Sequence, residues 1–395
     1  MRNKIDFSPE QRLLLCCARL EVSSDVVSEI ESLVHANLNW NQVIAYAAWH
    51  QITPMLYRTL SRFIPDHIPS AVKLVFELHI QRYSEQYRQQ FHELLHIIER
   101  LESNGIPVIS FKGPTLARLI YDDLSLRPFS DLDFLLHPSD VDRALRLLES
   151  LGYVAPSSRT GKQERYFRRY ACQYKIGRHD GEVWIEPHWT LAQRVFAIDL
   201  DYQALWQRSI QISWEGTLIR TFAIHDQPLV LCVHGFREQW RRLKWICDIA
   251  ELLRQNVCFD WSAIFREARL VGCERILRLG LTLANDLLDA PVPDHLVHSP
   301  DPQVAALVAR IRSNLFQIDL PIHDIWTIDV FHLLGRERLR DKLSYALRTQ
   351  LAPRLVFFER IPVPDSLFFC YYPIRWIHDY LLLPGWSIWK RAQHE

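Results

Sequence analysis

The chain has 395 residues, with 46 Lys+Arg against 46 Asp+Glu, so its formal net charge is zero, and it carries 17 His. That balance excludes a protein that coats nucleic acid or an anionic membrane through bulk charge, though it leaves room for a local basic site. With 48% hydrophobic and 23% charged residues the composition is that of a folded globular chain, and at this length two or three lobes are expected.

The basic residues are 38 Arg and only 8 Lys. Arg brings a planar, always-charged fork suited to carboxylate and phosphate; a GC-rich coding bias explains the excess equally well. Twelve glycines are too few for an all-β fold built on many tight turns. The eight cysteines form no CxxC pair and no Cys/His set with zinc spacing, so a reduced cytoplasm is the expected setting. The first twenty residues hold no signal-peptide core, and no apolar run is long enough to span a bilayer.

Residues 8 to 103 read as helical. Ser8-Pro9-Glu10 is a start signal, and Val43 to Phe63 carries apolar residues at helical spacing up to Pro65. Val72 to Leu101 reads as one long amphipathic helix closed by Asn104-Gly105. The texture then changes. Val108–Phe111 and Leu132–Leu136 read as short strands, Thr115–Tyr121 and Ser139–Leu151 as helices, an alternation that signals a mixed sheet. Tyr166–Ile176 and Glu182–Trp189 also suit strands, joined by a turn at Asp180-Gly181, and a second hairpin turns at Glu215-Gly216. Beyond Asp226 helices return: one through His234, then Arg242–Leu253, Asp260–Val271 and Glu274–Leu288. The tail is helical and aromatic-rich, with Pro353, Pro362, Pro364 and Pro373 as breakpoints. The expected organisation is therefore α+β: a helical region over 1–103, a mixed-sheet core over 104–225 and a helical region over 226–395.

Chemistry concentrates in Phe111-Lys112-Gly113-Pro114 and in Arg127-Pro128-Phe129-Ser130-Asp131-Leu132-Asp133. Asp131 and Asp133, two apart at the mouth of a strand, point to one face while Leu132 and Phe134 point to the other. Carboxylates that close repel unless a cation lies between them, and Mg²⁺ is held by just such acids plus substrate phosphates. Gly113 permits close approach of a phosphate, and Lys112 supplies a point charge. A capping and turn role for the two aspartates is the alternative. A third acid comes from the strand around Glu186, which shares its face with Glu182, Trp184 and His188. Glu186 suits a metal bridge or proton acceptance, and an edge strand with its polar face in water is the competing reading.

Seven cationic residues between Arg159 and Arg178, among them Arg168 and Lys175, lie beside four aromatic ones. They form either a grip on a triphosphate or an anionic acceptor, or a solvated face paired with acids. Arg127 is read as supporting the aspartates or touching phosphate, Asp248 as an ion-pair partner of an Arg, Tyr121 as packing and His234 as a core histidine.

The block FKGPTLARLIYDDLSLRPFSDLDFLLHPSDVDRALRLLESLGY (residues 111–153) resembles the core of the polymerase-β-type nucleotidyltransferase superfamily. It is most similar to a branch of uncharacterised bacterial nucleotidyltransferases. The likeness continues through Glu186, His188 and Trp189, through His234-Gly235-Phe236 to Trp240, Leu243, Lys244, Trp245 and Asp248, and into YYPIRWIHDYLL near the C-terminus. Two positions depart from the pattern. Pro114 follows Gly113 where the superfamily usually has Ser or Gly, which removes an N–H from the phosphate turn, and Glu186 stands where Asp is common.

The resemblance implies an EC 2.7.7-type enzyme. Asp131 and Asp133 would hold Mg²⁺ on an NTP and Glu186 a second Mg²⁺. Lys112, Gly113, Arg127, Arg168, Lys175 and His188 would contact the nucleotide. NMP would pass to an acceptor hydroxyl with release of pyrophosphate. The acceptor stays open between a small molecule, a peptide or protein side chain and an RNA 3′ end. Zero net charge disfavours RNA, although toxin-type relatives in the superfamily use tRNA. A weakly active or inactive nucleotide- or partner-binding protein on the same fold is the second reading.

Overall fold

Helix starts and stops follow local chemistry closely. In the computed structural model, which describes residues 7–154, 159–181, 183–255, 258–297, 301–318 and 328–382, α1 (Pro9–Cys17) opens on a capping box. The Ser8 oxygen accepts from the Gln11 N–H, and the Gln11 side chain accepts from the Ser8 N–H. Helices α2 (Ser24–His35), α3 (Trp40–His50) and α4 (Thr53–Phe63) follow. The apolar pattern over Val43–Phe63 thus belongs to two helices. Pro54 cannot donate to the carbonyl four residues back, and the chain turns through a left-handed Gln51 before restarting. Helix α5 (Ser70–Ser103) runs 34 residues and stops where Gly105 takes φ +67°.

The sheet comes next: β1 (Val108–Ser110), a short helix α6 (Gly113–Leu116) prolonged by a π-turn to Tyr121, β2 (Leu132–Leu136), α7 (Val141–Ser150), β3 (Tyr153–Val154), α8 (Gly161–Tyr170), β4 (Ile176–Arg178) and β5 (Trp184–His188). Strand order is β1-β2-β5-β4-β3. Only β2 and β5 run parallel; the other neighbours are antiparallel. Leu132, Phe134 and Leu136 enter a core with Phe91, Leu94 and Ile98 of α5. Leu135 enters a second core, with Ile109, Phe111 and the helices beyond the sheet. The two-residue period therefore sends Asp131 and Asp133 to the side of β2 opposite α5.

Tyr166–Ile176 is not a strand: α8 occupies Gly161–Tyr170, and strand begins only at Ile176. A capping box between Thr160 and Gln163 nucleates the helix, and Gln163, Tyr166 and Phe167 are buried at helical spacing. The aromatic residues that favour strand formation serve here as the buried face of a helix. Lys162, Arg165, Arg168 and Arg169 accordingly lie on a helix, while Arg178 is on β4, which pairs with β5. Glu182 lies outside the described residues.

After β5 come α9 (Tyr202–Arg208) and the hairpin β6 (Ile210–Trp214) and β7 (Thr217–Thr221), turned at Glu215 and Gly216 with φ +51° and +83°. Helices α10 (Gln227–Arg237), α11 (Leu243–Arg254), α12 (Trp261–Leu270) and α13 (Glu274–Leu288) pack together around Trp240, which is wholly buried. The tail adds α14 (Asp294–Val297), α15 (Pro302–Asn314), α16 (Val330–Leu334), α17 (Leu339–Leu351), α18 (Val356–Arg360) and α19 (Tyr371–Ile377). Pro353, Pro362 and Pro364 separate helices. Pro373 instead sits in the first turn of α19, where a missing N–H is tolerated. Among the described residues no helix is long and apolar enough to cross a membrane.

Candidate active site

Parallel pairing of β2 with β5 sets Asp133 opposite Glu186 and Leu135 opposite His188. One ligand atom from each of Asp133, Glu186 and His188 falls within 4.8 Å of the others. His188 Nε2 lies 2.9 Å from Asp133 Oδ1, and Lys112 Nζ lies 3.3 Å from the same oxygen. Glu186 accepts from the Gln173 amide, which the Gln173–His188 bridge brings alongside. Lys175 Nζ stands 4.0 Å from Glu186 and over the Trp184 ring.

The turn that delivers Lys112 is strained. Lys112 has φ 55°, ψ −154°, a region that L side chains rarely adopt, and Gly113 follows at φ +42°. A Cβ on Gly113 would come 3.2 Å from the Asp131 carbonyl oxygen. Glycine here lets the turn lie against the backbone of the aspartate strand. Asp131 itself is not one of the three clustered ligands. It is close enough for its charge to act on Glu186.

Charge crowding splits the acids. Burial pushes the Glu186 carboxyl up, and Asp133 and Asp131 push it further, to about 8. Burial would raise Asp133 too, but Lys112 and His188 outweigh it and hold this carboxyl down at about 2. Asp131 is raised by burial and by Asp133. Burial lowers His188 to about 4, so the imidazole is neutral and its Nε2 donates to the ionised Asp133.

Arg127 lies deeper than a nucleotide contact requires. It is buried and bidentate on Asp248 of α11, at 2.7 and 2.9 Å, and its Nη1 donates to the Gly113 carbonyl at 3.4 Å. Tyr121 donates its hydroxyl to Asp248 at 2.9 Å, so it is a hydrogen-bonding partner as well as packing. Arg168 is bonded to Glu164, Asp142 and the Tyr174 hydroxyl. Half-buried Lys244, from the first turn of α11, donates to the Pro128 carbonyl at 3.1 Å. Burial, then Arg127, push its pKa down to about 7, while Asp248 and Asp131 pull the other way. His234 packs edge-on against Trp245, and its Nδ1 has no hydrogen-bond partner among the described residues.

Gln173 escapes sequence reasoning altogether. Its place depends on an isolated bridge to β5, and no local spacing announces that bridge. Lys244 stands in a basic segment that gives no sign of its burial, which comes from α11 docking beside the Arg127 loop.

A strand-borne acid cluster beside a lysine-glycine turn is an arrangement for handling a phosphorylated substrate. Residues 36–289 match the model of a family described as uncharacterised nucleotidyltransferases, and the chain belongs to that family. A solved structure of an antigenic nucleotidyltransferase-like protein from Paracoccidioides brasiliensis is similar at 17% identity, over 52% of this chain and 95% of that one, with a TM-score of 0.34. No curated protein matches the sequence.

Proposed function

We propose that this protein transfers NMP from an NTP to an acceptor hydroxyl at the Asp131, Asp133, Glu186 site, on a core of the polymerase-β type spanning about residues 104–225. The observation that carries the reading is the juxtaposition of Asp133 and Glu186 on parallel strands with Lys112 reaching the same cluster. Two carboxylates and an imidazole within 4.8 Å fit a divalent cation, and the mutual repulsion that raises Glu186 is what a cation relieves. Asp131, Asp133 and Glu186 would hold Mg²⁺, as one ion or two, which when bound neutralises charge on the triphosphate. Lys112, Lys175 and Lys244 surround these acids closely enough to act on their ionisation and are positioned to receive phosphate oxygens. Glu186, whose carboxylate joins the cluster from the strand beside Asp133, is assigned the hydroxyl proton. The acceptor oxygen bonds to the α-phosphorus, the bond from that phosphorus to the bridging oxygen breaks, and pyrophosphate leaves.

The test uses Mg²⁺, cell extract and NTP labelled at the α-phosphate. Wild type should incorporate label and release pyrophosphate, and Asp131→Ala/Asp133→Ala should not. Equal incorporation by the two would sink the assignment. A second reading, nucleotide binding without turnover, is favoured by Pro114, which removes an N–H from the phosphate turn. It predicts NTP binding with no pyrophosphate released.

Metal and pH should be linked through Glu186. Its folded-state pKa exceeds the ordinary 4.5 and reaches about 8, so the stability it contributes is complete below 4.5 and is lost as pH rises through 8. Asp133 is shifted the other way, and its window closes below the ordinary 3.8. Taken as the difference from Glu186→Gln, which shares the opposing slope of the buried neutral His50 and His234, the melting temperature of metal-free wild type should therefore fall as pH rises from about 5 to about 8, and Mg²⁺ should restore more of it at the upper end. Melting curves with a pH-independent Mg²⁺ effect would contradict the cluster as the binding site.

A further inference from the structure

A second charged feature lies on the other side of His188. The chain leaves β5 through Trp189 and Thr190, and both line a cavity of 630 Å³ bounded also by α8, the segment 192–202, α12 and α17. That volume suits a small molecule. Its wall is strongly cationic. Arg340, Ser344 and Arg348 recur every four residues on α17, so a single face of that helix looks into the cavity. Arg168 and Arg169 come from α8, and Arg194 from the loop after β5.

Among the described residues, two of these five arginines are balanced by acids and three are not. Arg168 pairs with Asp142 and Glu164, which lie outside the cavity wall, and Arg340 with Asp341 at 3.4 Å. Among the described residues Arg169, Arg194 and Arg348 make no salt bridge, and Asp199 is the one acid left in the wall to face them. Arg348 Nη1 donates to the Arg194 carbonyl at 2.8 Å, which draws the two residues together. Burial lowers the Arg348 pKa, the like charges of Arg194 and Arg169 lower it further, and Tyr170 and Asp199 oppose them, so the three guanidiniums lie within electrostatic reach of one another and of Asp199. Three such forks around one space form a receptor for a phosphate group, which accepts bidentate hydrogen bonds from arginine.

We propose that this cavity binds a small phosphate-bearing molecule through Arg169, Arg194 and Arg348, and that this molecule carries the acceptor hydroxyl. The inference rests on the nucleotidyltransferase reading for its second half. Cavity and metal cluster share a wall. Thr190 is two residues from His188, at most about 7 Å along extended chain, and its carbonyl contacts His188 Nδ1 at 3.3 Å. In the proposal, the ligand anchored by its phosphate at the arginines extends past buried His188, where the cavity lining ends at Trp189 and Thr190, to present a hydroxyl to Glu186. That oxygen forms the bond to the α-phosphorus of the NTP, the hydroxyl proton passes to Glu186, and pyrophosphate leaves with the electrons of the broken bond. The two kinds of cation then serve different substrates, with lysines facing the nucleotide triphosphate and arginines facing the acceptor.

The experiment is calorimetric titration of the full chain with glycerol 3-phosphate, and with inorganic phosphate, at low salt without Mg²⁺ or NTP. Wild type and Asp131→Ala should bind, whereas Arg169→Gln and Arg194→Gln, at exposed positions, should each weaken binding about tenfold or more. The same arginine variants should bind ATP·Mg²⁺ as wild type does while losing label transfer in extract. Unchanged phosphate binding in both arginine variants would overturn the site. Loss of ATP·Mg²⁺ binding in them would overturn the acceptor assignment, because the cavity would then hold the triphosphate. Phosphate binding that depends on the arginines in a protein that transfers no label would leave the cavity standing and refute the transferase reading on which its acceptor role rests.

Discussion

Asp133→Asn is expected to lower NMP transfer by about 10³-fold while the protein still folds. The substitution keeps the shape and removes the charge at the centre of the site. Asp133 is buried, accepts from His188 at 2.9 Å and faces the Lys112 ammonium at 3.3 Å. A neutral amide there cannot hold a cation against Lys112, and it leaves the ammonium without its counter-charge. Asp131→Asn is expected to fall as far, because the proposed function places both aspartates on the metal. Asp131 is not among the three atoms already gathered within 4.8 Å, so it is the sharper test. A loss of tenfold or less for Asp131→Asn, beside a large loss for Asp133→Asn, would reassign the metal to Asp133, Glu186 and His188. Label transfer gives the rates, and thermal melting reports whether each variant is folded. Should Asp133→Asn transfer label at the wild-type rate, the site is elsewhere.

How far the sequence could reveal this site follows from the range of the forces involved. β2 is legible because its two faces alternate over five residues, and the turns at Asp180-Gly181 and Glu215-Gly216 because their chemistry is local. The pairing of β2 with β5 is not local: 52 residues separate Asp133 from its register partner Glu186. Only the likeness to a known family joins the two acids in advance. α8 is misread as strand because Tyr166, Phe167 and Tyr170 favour strands, while the capping box at Thr160 and burial at helical spacing decide for helix. The basic segment from Arg159 to Arg178 then divides in the fold. Arg159, Arg168 and Arg178 find acids, Lys175 turns to Glu186, and Arg169 is left facing the cavity. Neither outcome can be read from charge counts. The zero net charge conceals this separation, in which acids converge at β2 and β5 while Arg169, Arg194 and Arg348, without an ion pair among the described residues, collect beyond His188.

Arg127→Met is expected to destabilise the protein by about 3–5 kcal/mol, and Asp248→Leu by a similar amount, because each leaves a buried charge without its partner. Both side chains are almost wholly enclosed, and the pair is bidentate. The double variant Arg127→Met/Asp248→Leu should recover much of that loss, since it buries no charge at all. It leaves the Tyr121 hydroxyl without its acceptor, so recovery stops short of wild type. Activity should behave differently. Arg127 also donates to the Gly113 carbonyl, which ties the strained Lys112-Gly113 turn to α11 through Asp248. A double variant that is stable has lost that tie, so it should bind NTP weakly while folding well. Urea unfolding measures the first effect and nucleotide titration the second. Recovery of both together would mean that the ion pair only holds the lobes in contact. Recovery of stability alone would show that Arg127 and Asp248 position the phosphate turn.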